Sequence, residues 1–213
     1  MTLQGGVDLQ RFHPQANGAA FRDRLGLPPN PPLVGMVAGF RVMKGHRVVV
    51  DAASRLGRQG IRPRFLFVGE GKSEPAIREV IARKGLNDWI RLTGFVADLP
   101  ETLAAMDVLL YVPLESDGMS RSLFECLAAG RPVVASRVGV VPEILTDGRD
   151  ALLVPAGDPI ALAQALHRLM ESPELSQVLG RAGRELIERR YSGARVAERL
   201  GEIYRSLTER QFR

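Results

Sequence analysis

The sequence predicts an α/β fold: a single doubly wound parallel sheet of about six strands, helices on both faces and a helical C-terminus. Three observations carry this. Short apolar runs alternate with helix-patterned segments along most of the chain. The runs are continuously apolar, as strands buried on both faces must be. The segments between them carry apolar residues in stripes at helical spacing. Such alternation winds right-handedly, which makes successive strands parallel.

Taken in order, LVGMVAG (33–39), RFLFVG (64–69), IRLTG (90–94), DVLLYV (107–112), PVVAS (132–136) and ALLVP (151–155) read as the strands. Residues 44–58 form a helix with Val48, Val49, Ala52, Ala53 and Leu56 on one stripe, and 74–83 and 121–129 are similar. Asp158 followed by Pro159 is a helix start, and Leu162, Leu166 and Leu169 are its buried stripe. Ser172-Pro173 repeats that signal, and Val196, Leu200, Ile203, Tyr204 and Leu207 give a last amphipathic helix over 193–210. The first 30 residues hold turn residues and LPPNPP (27–32) but no complete strand–helix unit. Residues 1–30 are therefore set apart as an opening segment or linker, and 31–213 as the domain.

Composition narrows the classes. At 213 residues the chain can bury a full core as one domain. No apolar run approaches the roughly 20 residues that span a bilayer, and MTLQGGVDLQ does not read as a signal peptide. One cysteine, Cys126, excludes an intrachain disulfide and fits a reducing cytoplasm. The net charge of +5 is spread along the chain and suits anionic ligands or an anionic membrane surface. Nucleic acid is disfavoured: aromatics are 6% of residues and no basic cluster interleaves with them.

Ligands of an open parallel sheet bind beyond the carboxyl ends of its strands. The loop GFRVMKG (39–45) offers Gly39 for a close turn and Arg41 and Lys44 as cations near a helix start, a combination suited to a diphosphate. In GEGK (69–72), Gly69 and Gly71 permit close backbone approach, although Glu74 stands where a dinucleotide fingerprint needs glycine. The loop GFVADLPE (94–101) adds backbone groups and Phe95, or is a plain turn in which Asp98 caps a helix. In 113–125, Ser120 reads as an N-cap that leaves the amides of Arg121, Ser122 and Leu123 facing the crevice. Glu125 then suits two vicinal ribose hydroxyls, the alternative being an i,i+4 pair with Arg121 worth about 0.3–0.5 kcal/mol.

Seven segments in register extend this reading: GGVDLQRFHP (5–14), VGMVAGFRVMKGH (34–46), FLFVGEG (65–71), RLTGFVADLPE (91–101), SDGMSRSLFECLAAGRPVVAS (116–136), VGVVPEIL (138–145) and DALLVPAGD (150–158). Together they resemble the C-terminal, nucleotide-sugar-binding half of retaining GT-B glycosyltransferases of the group 1 type (glycosyltransferase family 4). The resemblance implies a Rossmann-like domain forming half of a GT-B fold. It also implies transfer of a hexose from a UDP-, GDP- or ADP-sugar to an acceptor, with no cofactor and no metal. By the same resemblance Lys44 binds the diphosphate, and Glu125 is the ribose-binding second acid of an E-x7-E motif. Asp117 is the first acid, at the transferred sugar, and so the expected catalytic contact. Gly118, Met119, Ser120, Arg121 and Ser122 match the segment presenting amides to sugar and phosphates, and the backbone at Val96 the place where the base is read.

Departures from the family pattern are local, with one exception. Asp117 replaces the usual Glu and reaches about one bond less far. Gly39 stands where many members have arginine, Val42 replaces a frequent proline, and Val140 the second glycine of a common pair. The exception is that GGVDLQRFHP, which normally follows a first domain, opens this chain. The acceptor-binding half with its usual catalytic histidine is then expected on a truncated segment or a partner chain, and the isolated chain is expected to be inactive. His13, His46 and His167 do not replace that histidine, and His46 is expected to be structural or capping. Peripheral membrane attachment is common in the family through the other half, so the chain is expected in the cytoplasm, with any membrane contact at the inner face. The rival from another class is a non-catalytic nucleotide-sugar-binding or partner-dependent module. A nucleotide-sugar epimerase or phosphorylase would share the phosphate site, and a nicotinamide dehydrogenase lacks its fingerprint.

Overall fold

The computed structural model describes residues 5–118 and 121–211. The strands are β1 (Leu33–Val37), β2 (Arg64–Val68), β3 (Ile90–Leu92), β4 (Val108–Tyr111), β5 (Val133–Ser136) and β6 (Leu152–Val154). They form one parallel sheet in the order β3-β2-β1-β4-β5-β6, with Val34 opposite Phe65 and Gly35 opposite Leu109. Every residue of β4, β5 and β6 is buried, which is why their sequences are apolar without alternation.

Alternate strand residues serve opposite faces. Val34, Met36, Phe65, Phe67, Val108 and Leu110 meet α2 (His46–Arg58), α3 (Glu74–Arg83) and α7 (Pro159–Glu171). Leu33, Leu66, Val68, Leu109 and Tyr111 meet α1 (Gly18–Arg24), α4 (Leu99–Ala104), α5 (Arg121–Ala128), α6 (Val141–Ile144) and α8 (Pro173–Arg190). The last helix, α9 (Gly193–Gln211), leaves Leu200, Tyr204 and Leu207 exposed. Asp158 caps α7 by accepting from the amides of Ile160 and Ala161, and Ser172 caps α8 through the amide of Leu175.

The expected fold class and all six strands are observed, and two local readings change. The helix after β1 begins at His46 rather than at residue 44. Residues Val42–Lys44 form a 3-10 turn closed by Gly45 at φ 83°, so Lys44 stands outside the helix and on the crevice loop. The opening segment contains α1, and Val7, Phe12, Phe21 and Leu27 are buried in the same core as α5 and α8. The backbone of Val7 bonds both Tyr191 and Gly193, while Arg22 donates to Ala105 O and to Asp107.

From β1 the chain winds outward to β3 and then returns to place β4 on the other side of β1. The topological switch therefore lies between β1 and β4, and the crevice opens at their carboxyl ends.

Candidate functional site

The loops following β1 and β4 meet at this switch point. The amide of Leu114 donates to Met43 O at 2.8 Å, tying the two loops together. Across them Lys44 Nζ donates to Asp117 Oδ2, and Arg41 Nη2 lies 3.7 Å from Asp117 Oδ1. Lys44 and Asp117 keep only 11% and 9% of their side chains in solvent, against 62% for Arg41. Two cations thus converge on one largely buried acid beside the start of a helix.

The loops after β2 and β3 complete the edge. Gly69 donates to Gly94 O, and Phe40 N to Glu70 O, at 2.9 Å each. A Cβ at Gly69 would stand 2.3 Å from Ala38 O, so only glycine lets this loop lie against the one holding Gly39 and Arg41. Gly71 is pressed against the backbone of Phe40 in the same way. Glu70, which the sequence reading passed over between its two glycines, accepts from Phe95 N at 3.1 Å and pins the loop carrying Val96. Val96 is half-buried and Phe95 exposed. Asp98 accepts from Glu101 N at 3.4 Å, so the helix-cap reading of that loop holds.

The helix α5 begins at Arg121, and the amides of Arg121 and Leu123 in its first turn have no acceptor within the helix. Met119 and Ser120, including the expected N-cap, lie outside the described residues. Gly118 adopts φ 62° ahead of them, and Ser122 is half-buried. Leu123 is only 1% exposed as a whole residue, in the core, so the structure does not present it to the crevice as the sequence suggests. Glu125 is half-buried. Burial pushes its carboxyl above the usual range, opposed by the positive charges of Arg121 and Arg11.

Arg11 was not singled out from the sequence, although its segment was. A turn builds its position: Asp8 Oδ1 accepts from the amides of Gln10 and Arg11, and Asp8 O from Phe12. Its guanidinium lies 5.4 Å from the centre of the Phe12 ring.

The histidines divide clearly. His167 pairs with Glu171 at 3.1 Å on α7. His46 packs between the rings of Phe40 and Phe67, and neither of its nitrogens has a partner, so it is structural rather than capping. Burial, aided by the charge of Lys44, lowers its pKa from 6.5 to about 4. Burial also raises the pKa of the Cys126 thiol, leaving it inert. Among the described residues no cluster of His, Cys, Asp and Glu is arranged to hold a metal, and no helix is long and apolar enough to cross a membrane.

The sequence pattern of the family described as "Glycosyl transferases group 1" matches residues 31–172. A D-inositol 3-phosphate glycosyltransferase of Saccharomonospora viridis is 33% identical over 218 residues, covering 96% of this chain and 49% of that protein. The chain spans about half the length of the curated relatives it matches. A glycosyltransferase from Rickettsia africae superposes with a TM-score of 0.91 at 22% identity, over 98% of this chain and 57% of the other. Alr3699/HepE of Anabaena, in a complex with UDP, superposes at 0.87 and 22% identity, over 94% and 56%.

Proposed function

The chain belongs to the group 1 glycosyl transferases, and from that premise we propose that it is the donor-binding half of a retaining enzyme that transfers a hexose from a nucleoside diphosphate sugar. The observation that carries this reading is the convergence of Lys44 and Arg41 on Asp117 at the switch point, ahead of half-buried Glu125.

Each group has a chemical task there. Lys44 and Arg41 take the diphosphate, joined by the first-turn amides of α5. Glu125 accepts from the two ribose hydroxyls, and the backbone at Val96 reads the base. Asp117 faces the transferred sugar. As the glycosidic bond breaks, negative charge grows on the leaving diphosphate. Cations already fixed at that point stabilise it without reorganising, and this is the service a metal would otherwise supply. The acceptor, and the group that activates it, belong to the other half of the enzyme, for which the exposed stripe Leu200, Tyr204 and Leu207 offers a contact.

Calorimetric titration with UDP, GDP, ADP and NAD, each nucleoside diphosphate repeated as its sugar conjugate, tests the proposal. One nucleoside diphosphate should bind selectively, NAD should not, and saturation at 100 times Kd should stabilise the fold by about 2.7 kcal/mol. UDP is the first to try, because the Anabaena protein of the same fold was crystallised with it. Binding to none of them would overturn the reading. Transfer restored by adding an N-terminal half would separate an enzyme fragment from a binding module.

A further inference from the structure

We propose that Asp117 is the internal counter-ion of the diphosphate-binding cations, holding the place of a phosphate beside Lys44 and Arg41 and passing to the sugar only when a diphosphate displaces it. The inference rests on the donor-site reading and adds an order of events to it.

The argument starts from burial. Lys44 retains 11% of its side-chain exposure and Asp117 9%, so neither charge has water enough to stand alone. A lysine buried to this extent needs an anion, and the carboxylate of Asp117 is that anion. Its other oxygen lies 3.7 Å from Arg41 Nη2, beyond hydrogen-bond reach but close enough for charge attraction. A carboxylate held in this way is turned toward the cations rather than toward sugar hydroxyls.

A diphosphate changes the balance. It brings more negative charge than one carboxylate and presents it to both cations at once, while repelling Asp117. The acid is then displaced with its oxygens free to accept hydroxyl protons, next to the phosphate that carries the sugar. Gly118 follows at φ 62°, and among the described residues no atom lies within 4 Å of the position a Cβ would take. Free sugar meets an occupied acid, whereas sugar delivered on a diphosphate meets a released one. Recognition of the sugar is thereby made conditional on its nucleotide.

The exchange has a signature that a plain sugar contact lacks: removing the charge of Asp117 should tighten the binding of a diphosphate that carries no sugar. Asp117→Asn keeps the shape of the side chain and removes its charge. Titrated with pyrophosphate and with UDP, GDP and ADP, the variant should bind about fivefold or more tightly than the parent. Its preference for the sugar nucleotide over the free diphosphate should fall. The gain should vanish in a Lys44→Met background, and the affinity for the nucleoside without phosphate should not move. Equal or weaker diphosphate binding by Asp117→Asn, with nucleoside binding unchanged, overturns the exchange while leaving the donor site standing. If neither protein binds pyrophosphate or any nucleoside diphosphate, the donor-site reading fails and the exchange with it.

Discussion

Arg184 and Phe12 lie 172 residues apart in sequence, yet Arg184 Nη1 donates to the carbonyl of Phe12 at 2.5 Å. The same nitrogen donates to Ala128 O at 2.6 Å, and Nε to Glu188 at 2.6 Å. One guanidinium on α8 therefore clamps the opening segment onto the C-terminal end of α5, whose first turns carry Arg121 and Glu125. The residue next to the clamped carbonyl is Arg11, whose charge reaches Glu125. The opening segment is thus held against the helix that carries Glu125.

Arg184→Met should cost about 2 kcal/mol or more in urea denaturation, because it strands two carbonyl groups away from a good donor. Amide hydrogen exchange should quicken across residues 6–14 before it does in β1 or β4. Unchanged exchange in that segment would show that Phe12 and Val7 anchor it without the clamp.

The charge state of Glu125 sets a pH dependence. Its carboxyl is raised by burial, and only the ionised form accepts from both ribose hydroxyls. Nucleoside affinity should therefore rise with pH through that raised value. Arg11→Ala should move the rise to higher pH, and Arg11→Lys should restore most of it. Stability runs the opposite way: the folded state binds the proton more tightly than the unfolded chain, so stability falls as pH climbs from the ordinary carboxylate range through the raised value. Glu125→Gln should remove that fall. A nucleoside-binding profile that Arg11→Ala leaves in place would separate Arg11 from the site.

The sheet was legible because burial on both faces makes each strand a continuous apolar run, and the six runs end within two residues of the observed strands. The helix Gly18–Arg24 was not legible, since Gly18 and Phe21 are its only buried residues and make no stripe. Lys44 and Asp117 were each readable as site residues from their loops. Their pairing was not, because it comes from the return of the chain to β4 beside β1, across 73 residues. Arg11 and Glu70 escaped for a related reason. Their roles depend on neighbours from other loops, whereas sequence patterns record only what is near along the chain.

Acid sensitivity should centre on His46. Its pKa falls from 6.5 to about 4 on folding, so between these values the unfolded chain binds the proton and the folded one does not. Stability is lost as pH falls through that window, by about 3 kcal/mol in total. His46→Leu removes the titration together with two unpartnered nitrogens. Guanidinium denaturation at pH 7 and pH 4.5 should show a smaller difference for the variant than for the parent. An equal difference would assign the acid sensitivity to other groups.

Two glycines with similar backbone angles should respond differently to alanine. Gly45 and Gly60 have φ of 83° and 80°, so each substitution incurs the left-handed penalty of about 1–2 kcal/mol. At Gly60 nothing among the described residues lies within 4 Å of the added Cβ, and the cost should stop there. At Gly45 the Cβ would stand 2.1 Å from Val112 O, at the end of β4, so the backbone must shift. Gly45→Ala should cost distinctly more in thermal unfolding. It should also weaken diphosphate binding, because the 3-10 turn that sets Lys44 outside the helix closes on this residue. Equal costs at the two sites would mean that the loop yields freely, contrary to its bond from Leu114 N to Met43 O.

Lys44 should separate phosphate recognition from nucleoside recognition. Its ammonium group is largely buried against Asp117, whereas Arg41 stays mostly in solvent and 3.7 Å from the same acid. Screening by water discounts the exposed guanidinium, so the lysine carries the larger share of the charge felt by a diphosphate. Lys44→Ala should weaken nucleoside diphosphate binding by about 2 kcal/mol, roughly 30-fold in Kd. Arg41→Ala should have a smaller effect that fades as salt is raised. Neither change should alter the affinity for the nucleoside alone, which the proposal assigns to Glu125 and the backbone at Val96. Calorimetry with the nucleoside and its diphosphate, at low and high ionic strength, measures all three quantities. If Lys44→Ala weakened the nucleoside and its diphosphate equally, the lysine would be supporting the loop rather than meeting phosphate.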